Sequence, residues 1–148
     1  MIYLACDHNG VEKMNIVKQW LTKNGFEWES VGADTYDKSD NYVTYVLKAN
    51  ALIPTGENFG IYMCGTGVGV SMAANRTKGV RAVLCNMEKT AYFSRVHNNA
   101  NVICFSAGYK GYPKMSMRKM LKCINTFLTT KFEGGRHEQR VKDLDEKF

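Results

Sequence analysis

The segment Cys64-Gly65-Thr66-Gly67-Val68-Gly69-Val70-Ser71 carries the residue types that most directly imply chemistry in this 148-residue chain. Glycines at 65, 67 and 69 let the backbone approach a ligand and turn several N–H groups one way. A helix starting there adds its positive N-terminal end. A thiol at such a place is favoured as thiolate and can serve as base or nucleophile near neutral pH. A G-x-G-x-x-G dinucleotide loop would need glycine at position 70, where the chain has Val70, and would open the fold. A cysteine phosphatase would carry arginine at that same position. Two readings remain on the residues alone: an acid–base site whose loop holds a small oxyanion, and a tight strand–helix turn without chemistry.

Other candidates lie elsewhere along the chain. Asp7 and His8 follow the first apolar run, and His97 precedes Asn98 and Asn99. A lone histidine is more often structural, and neither His8 nor His97 decides the matter by itself. Arg136 and Arg140 share a face if helical, and two guanidiniums on one face make a phosphate clamp or a solvated pair. Gly134-Gly135 before them points to a chain bent to place them.

The elements that must position these residues follow from periodicity. Short apolar runs predict strands at Ile2–Cys6, around Phe26–Val31, and at Gly60–Cys64, Val80–Cys85 and Val102–Phe105. Helical spacing predicts helices over Val11–Asn24, Tyr42–Ile53, Val68–Thr77, Glu88–Asn98, Pro113–Thr130 and Arg136–Lys147. Strands alternating with helices make an α/β fold with a parallel sheet and helices on both faces. In such sheets ligands bind at the carboxyl ends of the strands. Asp7, His8 and the 64–71 loop are strand exits in this reading.

Composition bounds the function classes. Hydrophobic residues are 45% and charged residues 23% of the chain, as in an ordinary globular domain. One domain, 1–148, is expected, with no repeat and no low-complexity stretch. No apolar stretch approaches the ~20 residues that cross a bilayer. The N-terminus has no basic n-region and meets Asp7 early, so a cytoplasmic protein is expected. The five cysteines form no Cys-x-x-Cys pair and no zinc spacing, and are expected to be reduced. Net charge is −3 over residues 1–60 and +9 over 61–148. That half points to an anionic partner, but no nucleic-acid motif accompanies it.

Taken together these segments are similar to the ribose-5-phosphate isomerase type B family, which includes galactose-6-phosphate and allose-6-phosphate isomerases. The carriers are Cys6-Asp7-His8, Cys64 through Asn75, Gly79-Val80-Arg81-Ala82, His97 through Val102, and Glu133-Gly134-Gly135-Arg136-His137 followed by Arg140-Val141. The resemblance runs over nearly the whole chain. It implies a three-layer α/β/α Rossmann-like sandwich with five parallel strands. It implies a homodimer, often a dimer of dimers, whose sites draw on both subunits as the segment from about 131 to 148 reaches across. It implies no metal, no organic cofactor, no nucleic-acid partner and no membrane.

The reaction so implied interconverts ribose 5-phosphate and ribulose 5-phosphate through an enediolate. By resemblance Cys64 is the base, His97 assists ring opening with Asp7 beside the sugar hydroxyls, and Thr66 assists the loop N–H groups in stabilising the enediolate. Gly65, Gly67, Gly69 and Ser71 frame the oxyanion, Asn98 and Tyr42 hold the substrate, and His8, Arg136 and Arg140 take the phosphate. Two loops depart from the usual pattern. Gly108 stands where many relatives have arginine, with Lys110 nearby as a point charge. Tyr42 matches the Asp-Tyr-Pro of relatives only with a one-residue slip. These departures bear on the sugar more than on the reaction. The same chemistry on allose or galactose 6-phosphate, and a non-catalytic sugar-phosphate sensor, are the alternatives. The presence of Cys64 speaks against the galactose-6-phosphate isomerase subunit type that lacks it.

Overall fold

A computed structural model describes residues 1–55 and 57–147; Gly56 and Phe148, the last residue of the expected domain, lie outside it. Five strands form one all-parallel sheet: β1 (Ile2–Cys6), β2 (Trp28–Ser30), β3 (Phe59–Cys64), β4 (Ala82–Leu84) and β5 (Val102–Ser106), in the order β2-β1-β3-β5-β4. Among the described residues six helices surround it: α1 (Val11–Lys23), α2 (Tyr42–Asn50), α3 (Val68–Ala74), α4 (Glu88–Asn98), α5 (Met117–Thr129) and α6 (Glu138–Glu146). This is the expected three-layer α/β/α sandwich.

The alternation of strand side chains divides the core in two. Leu4, Ile61, Met63, Ile103 and Phe105 face α1, α4 and α5, where they meet Met14, Leu21, Ala91, Ile124 and Phe127. Ala5, Tyr62, Cys64, Val102 and Cys104 face α2 and α3, where they meet Val46, Ala49, Val70 and Ala74. Cys64 is therefore the last residue of a central strand, on the α2–α3 face. Tyr62 reaches through that face to Asn50, donating its hydroxyl to Oδ1 at 3.0 Å, and Asn50 Nδ2 donates to the Ala74 carbonyl at 3.0 Å. That network ties α2 to α3 beneath the loop.

Helix ends differ from the sequence reading where side chains intervene. α2 stops at Asn50 rather than Ile53, because Pro54 disfavours helical backbone in the residue before it, and Ile53–Thr55 make a 3₁₀ turn. α3 stops at Ala74 rather than Thr77. Asn75 there turns its side chain to β4, accepting from Ala82 N–H at 2.9 Å and donating to Ala82 O at 2.9 Å. α5 begins at Met117 rather than Pro113, because Ser116 caps it, accepting from Lys119 N–H at 3.4 Å. Arg136 falls in a 3₁₀ turn, Gly135–His137, ahead of α6. The end strands β2 and β4 are three residues each, shorter than expected. All five cysteines are buried and unpaired. No described helix is long and apolar enough to cross a membrane.

Candidate active site

All five strands run one way, so their exits form one edge, and α2 and α3 begin there. Asp7 follows β1 and is buried; its Oδ1 accepts from Asn9 N–H at 2.9 Å and its Oδ2 from Asn9 Nδ2 at 3.2 Å. His8 Nδ1 meets Asp40 Oδ1 at 2.6 Å, and its Nε2 lies 3.0 Å from Asn9 Nδ2. Since the amide can only donate there, Nε2 is the acceptor and Nδ1 carries the proton toward Asp40. Asn9 follows His8 at the same strand exit, whereas Asp40 was given no role from the sequence: its contact with His8 spans 32 residues and has no local signal.

The glycine loop is shaped from three sides. Gly67 has φ +76°, and a Cβ there would come within 2.7 Å of Leu84 Cδ1 and the Phe105 carbonyl carbon. A Cβ on Gly65 would meet Tyr109 Cβ at 2.9 Å. One on Gly69 would meet Tyr42 Cζ at 2.5 Å, so the Tyr42 ring lies over the loop despite its one-residue slip. The exit of β5 holds the loop's carbonyls: Ala107 N–H donates to Cys64 O, Gly108 N–H and Ser106 Oγ to Gly65 O, each at 2.9 Å.

Cys64 Sγ, almost fully buried, accepts from Gly67 N–H at 3.2 Å. The Gly67 N–H and the start of α3 both aim the positive ends of backbone dipoles at the sulfur. Thr66 Oγ1 accepts from Val68 N–H at 3.3 Å, which fixes its side chain at the loop's crest. Ser71 donates its hydroxyl to the Val68 carbonyl at 2.8 Å. It lines a groove of about 780 Å³ around the outer edge of β4, together with Met72, Arg81, Asn98 and Leu144. A cavity of about 710 Å³ lies on the other side of the loop, lined by Thr66, Cys85, Ser106, Tyr112 and Lys114.

The remaining candidates stand at the opposite edge. α4 returns antiparallel to the strands, so His97 and Asn98 at its end lie by the starts of β4 and β5. Asn101 N–H bonds Arg81 O at 3.1 Å there. Cys64 pairs with Ser106 and Gly60 with Val102, so about 13 Å of strand separates the two edges. The structure thus joins Asp7, His8, Tyr42, Cys64, Gly65, Thr66, Gly67 and Gly69 in one group. It leaves His97, Arg136 and Arg140 in another, while Asn98 and Ser71 share the groove around the β4 edge.

The second group has its own order. His97 stacks on His137 at 4.4 Å between ring centres, and Glu133 Oε2 lies 4.0 Å and 3.9 Å from their Nε2 atoms. Burial, then the charges of His97 and Arg136, hold the His137 pKa below the usual histidine value. Arg136 and Arg140 are exposed. Arg95 secures the turn after α4, donating to Ala100 O at 2.6 Å, Asn99 Oδ1 at 2.9 Å and Thr130 O at 3.2 Å. Arg81 holds α6 through Asp145 at 2.8 Å. Among the described residues, two sets of donors lie close enough to share a cation: His97, Glu133 and His137, and Asp7, His8 and Asp40. The second set is already engaged in the hydrogen bonds given above.

Comparison with known proteins places this geometry. The Ribose/Galactose Isomerase family matches residues 2–144. The probable ribose-5-phosphate isomerase B of Mycoplasma genitalium is 37% identical over 97% of this chain and 92% of its own. The ribose-5-phosphate isomerase B of Escherichia coli K12 is 36% identical over 97% of this chain and 93% of its own. The crystal structure of the Mycoplasma genitalium enzyme with bound ribulose-5-phosphate superposes with TM-score 0.91 at 35% identity, covering 99% of this chain and 94% of that one. The Thermotoga maritima ribose 5-phosphate isomerase structure gives 0.88 at 39% identity, covering 98% and 97%. A fold and a length shared this fully leave one assignment: the chain belongs to the ribose/galactose isomerase family.

Proposed function

We propose that this chain interconverts ribose 5-phosphate and ribulose 5-phosphate, with Cys64 as the base. The observation that carries the reading is the Cys64 sulfur at the foot of the glycine loop, accepting from Gly67 N–H at 3.2 Å. The Cys64 thiolate takes the proton from C2 of the open-chain aldose and returns it at C1. The electron pair moves onto the carbonyl oxygen, and the loop N–H groups with Thr66 stabilise the enediolate there. His97 moves the proton that opens the sugar ring, with Asp7 at the hydroxyls. Tyr42 and Asn98 hold the sugar, Ser71 and the loop glycines shape its bed, and His8, Arg136 and Arg140 bind phosphate. Cys64 returns the proton to C1, the O2 hydroxyl gives up its proton as O1 gains one, and the electron pair stays within the substrate, so the isomerisation balances without an external redox partner. A cytoplasmic setting fits such a metabolite.

The reading requires a symmetric dimer, because the two residue groups stand at opposite sheet edges. In an isologous pair the Cys64 edge of each protomer can meet the His97 edge of the other. Val68, Met72, Leu84, Phe93 and Leu144 are large apolar side chains left exposed by α3, β4, α4 and α6. They suit a covered face around the β4 edge. The segment 131–147 then carries Arg136 and Arg140 to the partner's site.

The test is conversion of ribose 5-phosphate by the wild type, Cys64→Ala and His97→Ala, beside allose and galactose 6-phosphates. Each variant alone is expected to lose turnover. Co-expression of the two is expected to restore about a quarter of wild-type activity, because half the dimers are mixed and each carries one intact site. Turnover that survives Cys64→Ala overturns the base. Absence of complementation overturns the shared site. Turnover of a hexose phosphate alone moves the substrate.

A further inference from the structure

Three side chains far from the Cys64 loop converge at the end of α4. His97 lies in the last turn of that helix, and Glu133 N–H donates to Val96 O at 3.1 Å, which fixes the segment after α5 against the turn. The chain then bends at Gly134 and Gly135, with φ +72° and +56°, into the 3₁₀ turn that carries His137. Glycine adopts such a pair of positive φ angles without strain. The bend lays His137 on His97, ring on ring, with 4.4 Å between centres and 15° between planes.

The polar atoms of this cluster are close to one another and unpaired. Glu133 Oε2 stands 4.0 Å from His97 Nε2 and 3.9 Å from His137 Nε2, beyond hydrogen-bond length. One donor atom from each residue lies within 4.8 Å of the others. His137 is 3% exposed, and its Nε2 is enclosed with no hydrogen-bond partner among the described residues. A buried imidazole nitrogen without a partner is costly and uncommon. The Glu133 oxygen faces it across a gap too wide for a shared proton and near the spacing of donors around one ion. Four-coordinate zinc, with bonds of about 2.0–2.2 Å, keeps its donors roughly 3.3–3.6 Å apart. The Glu133 and His97 side chains are 59% and 35% exposed. The carboxylate can therefore close by about half an ångström, and the His97 ring can turn its lone pair inward, while His137 stays fixed. Arg136 and Arg140 are exposed, and solvent screens their charge.

We propose that His97, Glu133 and His137 form a binding site for a divalent first-row transition ion of the zinc class, and that the bound ion inhibits the enzyme. Two imidazoles and one carboxylate suit zinc, copper or nickel, whereas magnesium and calcium take oxygen ligands. Water fills the fourth position. The ion occupies Nε2 of His97, so that nitrogen no longer passes a proton. The inhibition, unlike the binding, rests on the isomerase reading and on the ring-opening role of His97. The ion is a reversible block, and no substrate bond is made or broken on it.

The experiment uses the full assembled chain, freed of metal by a chelator, as wild type, Cys64→Ala, Glu133→Gln and His137→Asn. Cobalt(II) is titrated while the visible absorption of a four-coordinate site is read, and zinc binding is measured by calorimetry. Wild type and Cys64→Ala should bind the ion with the same affinity. Glu133→Gln and His137→Asn should each weaken zinc on the order of 100-fold, since even a partner that only supports a ligand is worth about 10–100-fold. Zinc should slow ribose 5-phosphate turnover by the wild type, and chelator should restore it. In the two variants the ratio of zinc-treated to chelated activity should stay near one at the same zinc concentration. Glu133 is mostly exposed, so Glu133→Gln keeps the test open if His137→Asn does not fold. Loss of binding in Cys64→Ala puts the ion on the thiol and overturns the proposal. Zinc affinity in both variants within about threefold of wild type overturns it as well, as does a wild type with no four-coordinate cobalt spectrum. Zinc that binds through Glu133 and His137 without slowing turnover overturns the inhibition and leaves the ion site standing. Zinc binding that needs both residues, in a chain that turns over no sugar phosphate, sinks the isomerase reading instead.

Discussion

Gly69→Ala tests how tightly the loop and the Tyr42 ring are fitted to each other. A Cβ at position 69 would stand 2.5 Å from Tyr42 Cζ and 2.6 Å from its Oη, and ordinary contact begins near 3.4 Å. The ring must therefore retreat by about 0.9 Å. The clash falls on the far end of a half-buried side chain, so the ring can swing and the fold loses little. Alanine inside α3 adds up to about 0.8–1 kcal/mol of helix preference over glycine, which offsets the rest. The melting temperature should then be unchanged or slightly higher. Function should not be: a displacement near 1 Å at a substrate-positioning group costs on the order of 10–100-fold in kcat/KM, or about 1.4–2.7 kcal/mol. The assay is ribose 5-phosphate turnover in a double-mutant cycle with Tyr42→Leu. The single Tyr42 variant should lose a similar factor. Gly69→Ala should then cost less than about threefold more, because its clash partner is gone. Penalties that multiply in full would show that Gly69 acts through its own backbone. Full activity in Gly69→Ala would show that Tyr42 does not touch substrate.

Two further outcomes follow from the second residue group. Arg95→Met strips the donors from Ala100 O and Thr130 O beneath the His97 turn, and urea unfolding should show a loss of about 2–4 kcal/mol; a loss under about 1 kcal/mol would mean that water replaces the guanidinium. His137 is held below its unfolded value of 6.5, so the unfolded chain takes up the proton first. Its contribution is complete above pH 6.5 and is lost as pH falls from there toward the lower folded value, so stability measured against pH should fall less steeply in His137→Asn.

Much of this protein was legible before any coordinates. The apolar runs at 2–6, 60–64 and 102–105 are strands because full burial on both faces demands continuous hydrophobicity. The loop at Cys64 and the pair Asp7-His8 stand at strand exits because parallel topology puts every exit on one edge. The family resemblance rested on segments that are contiguous in sequence, so it too could be read there. Helix ends were less legible where a side chain decided them: Ser116 caps α5 three residues after Pro113, and Asn75 ends α3 by turning to β4.

What only the tertiary structure decided are meetings between residues far apart in the chain. Asp40 finds His8 across 32 residues, and His137 finds His97 by stacking. The separation of Cys64 from His97 is of the same kind, since it follows from the antiparallel return of α4 and the β3–β5 register. Periodicity reports how each segment buries its own face, and so it specifies elements. Which side chains then face each other depends on strand order, register and the reach of loops, and those are settled only when the whole core closes at once.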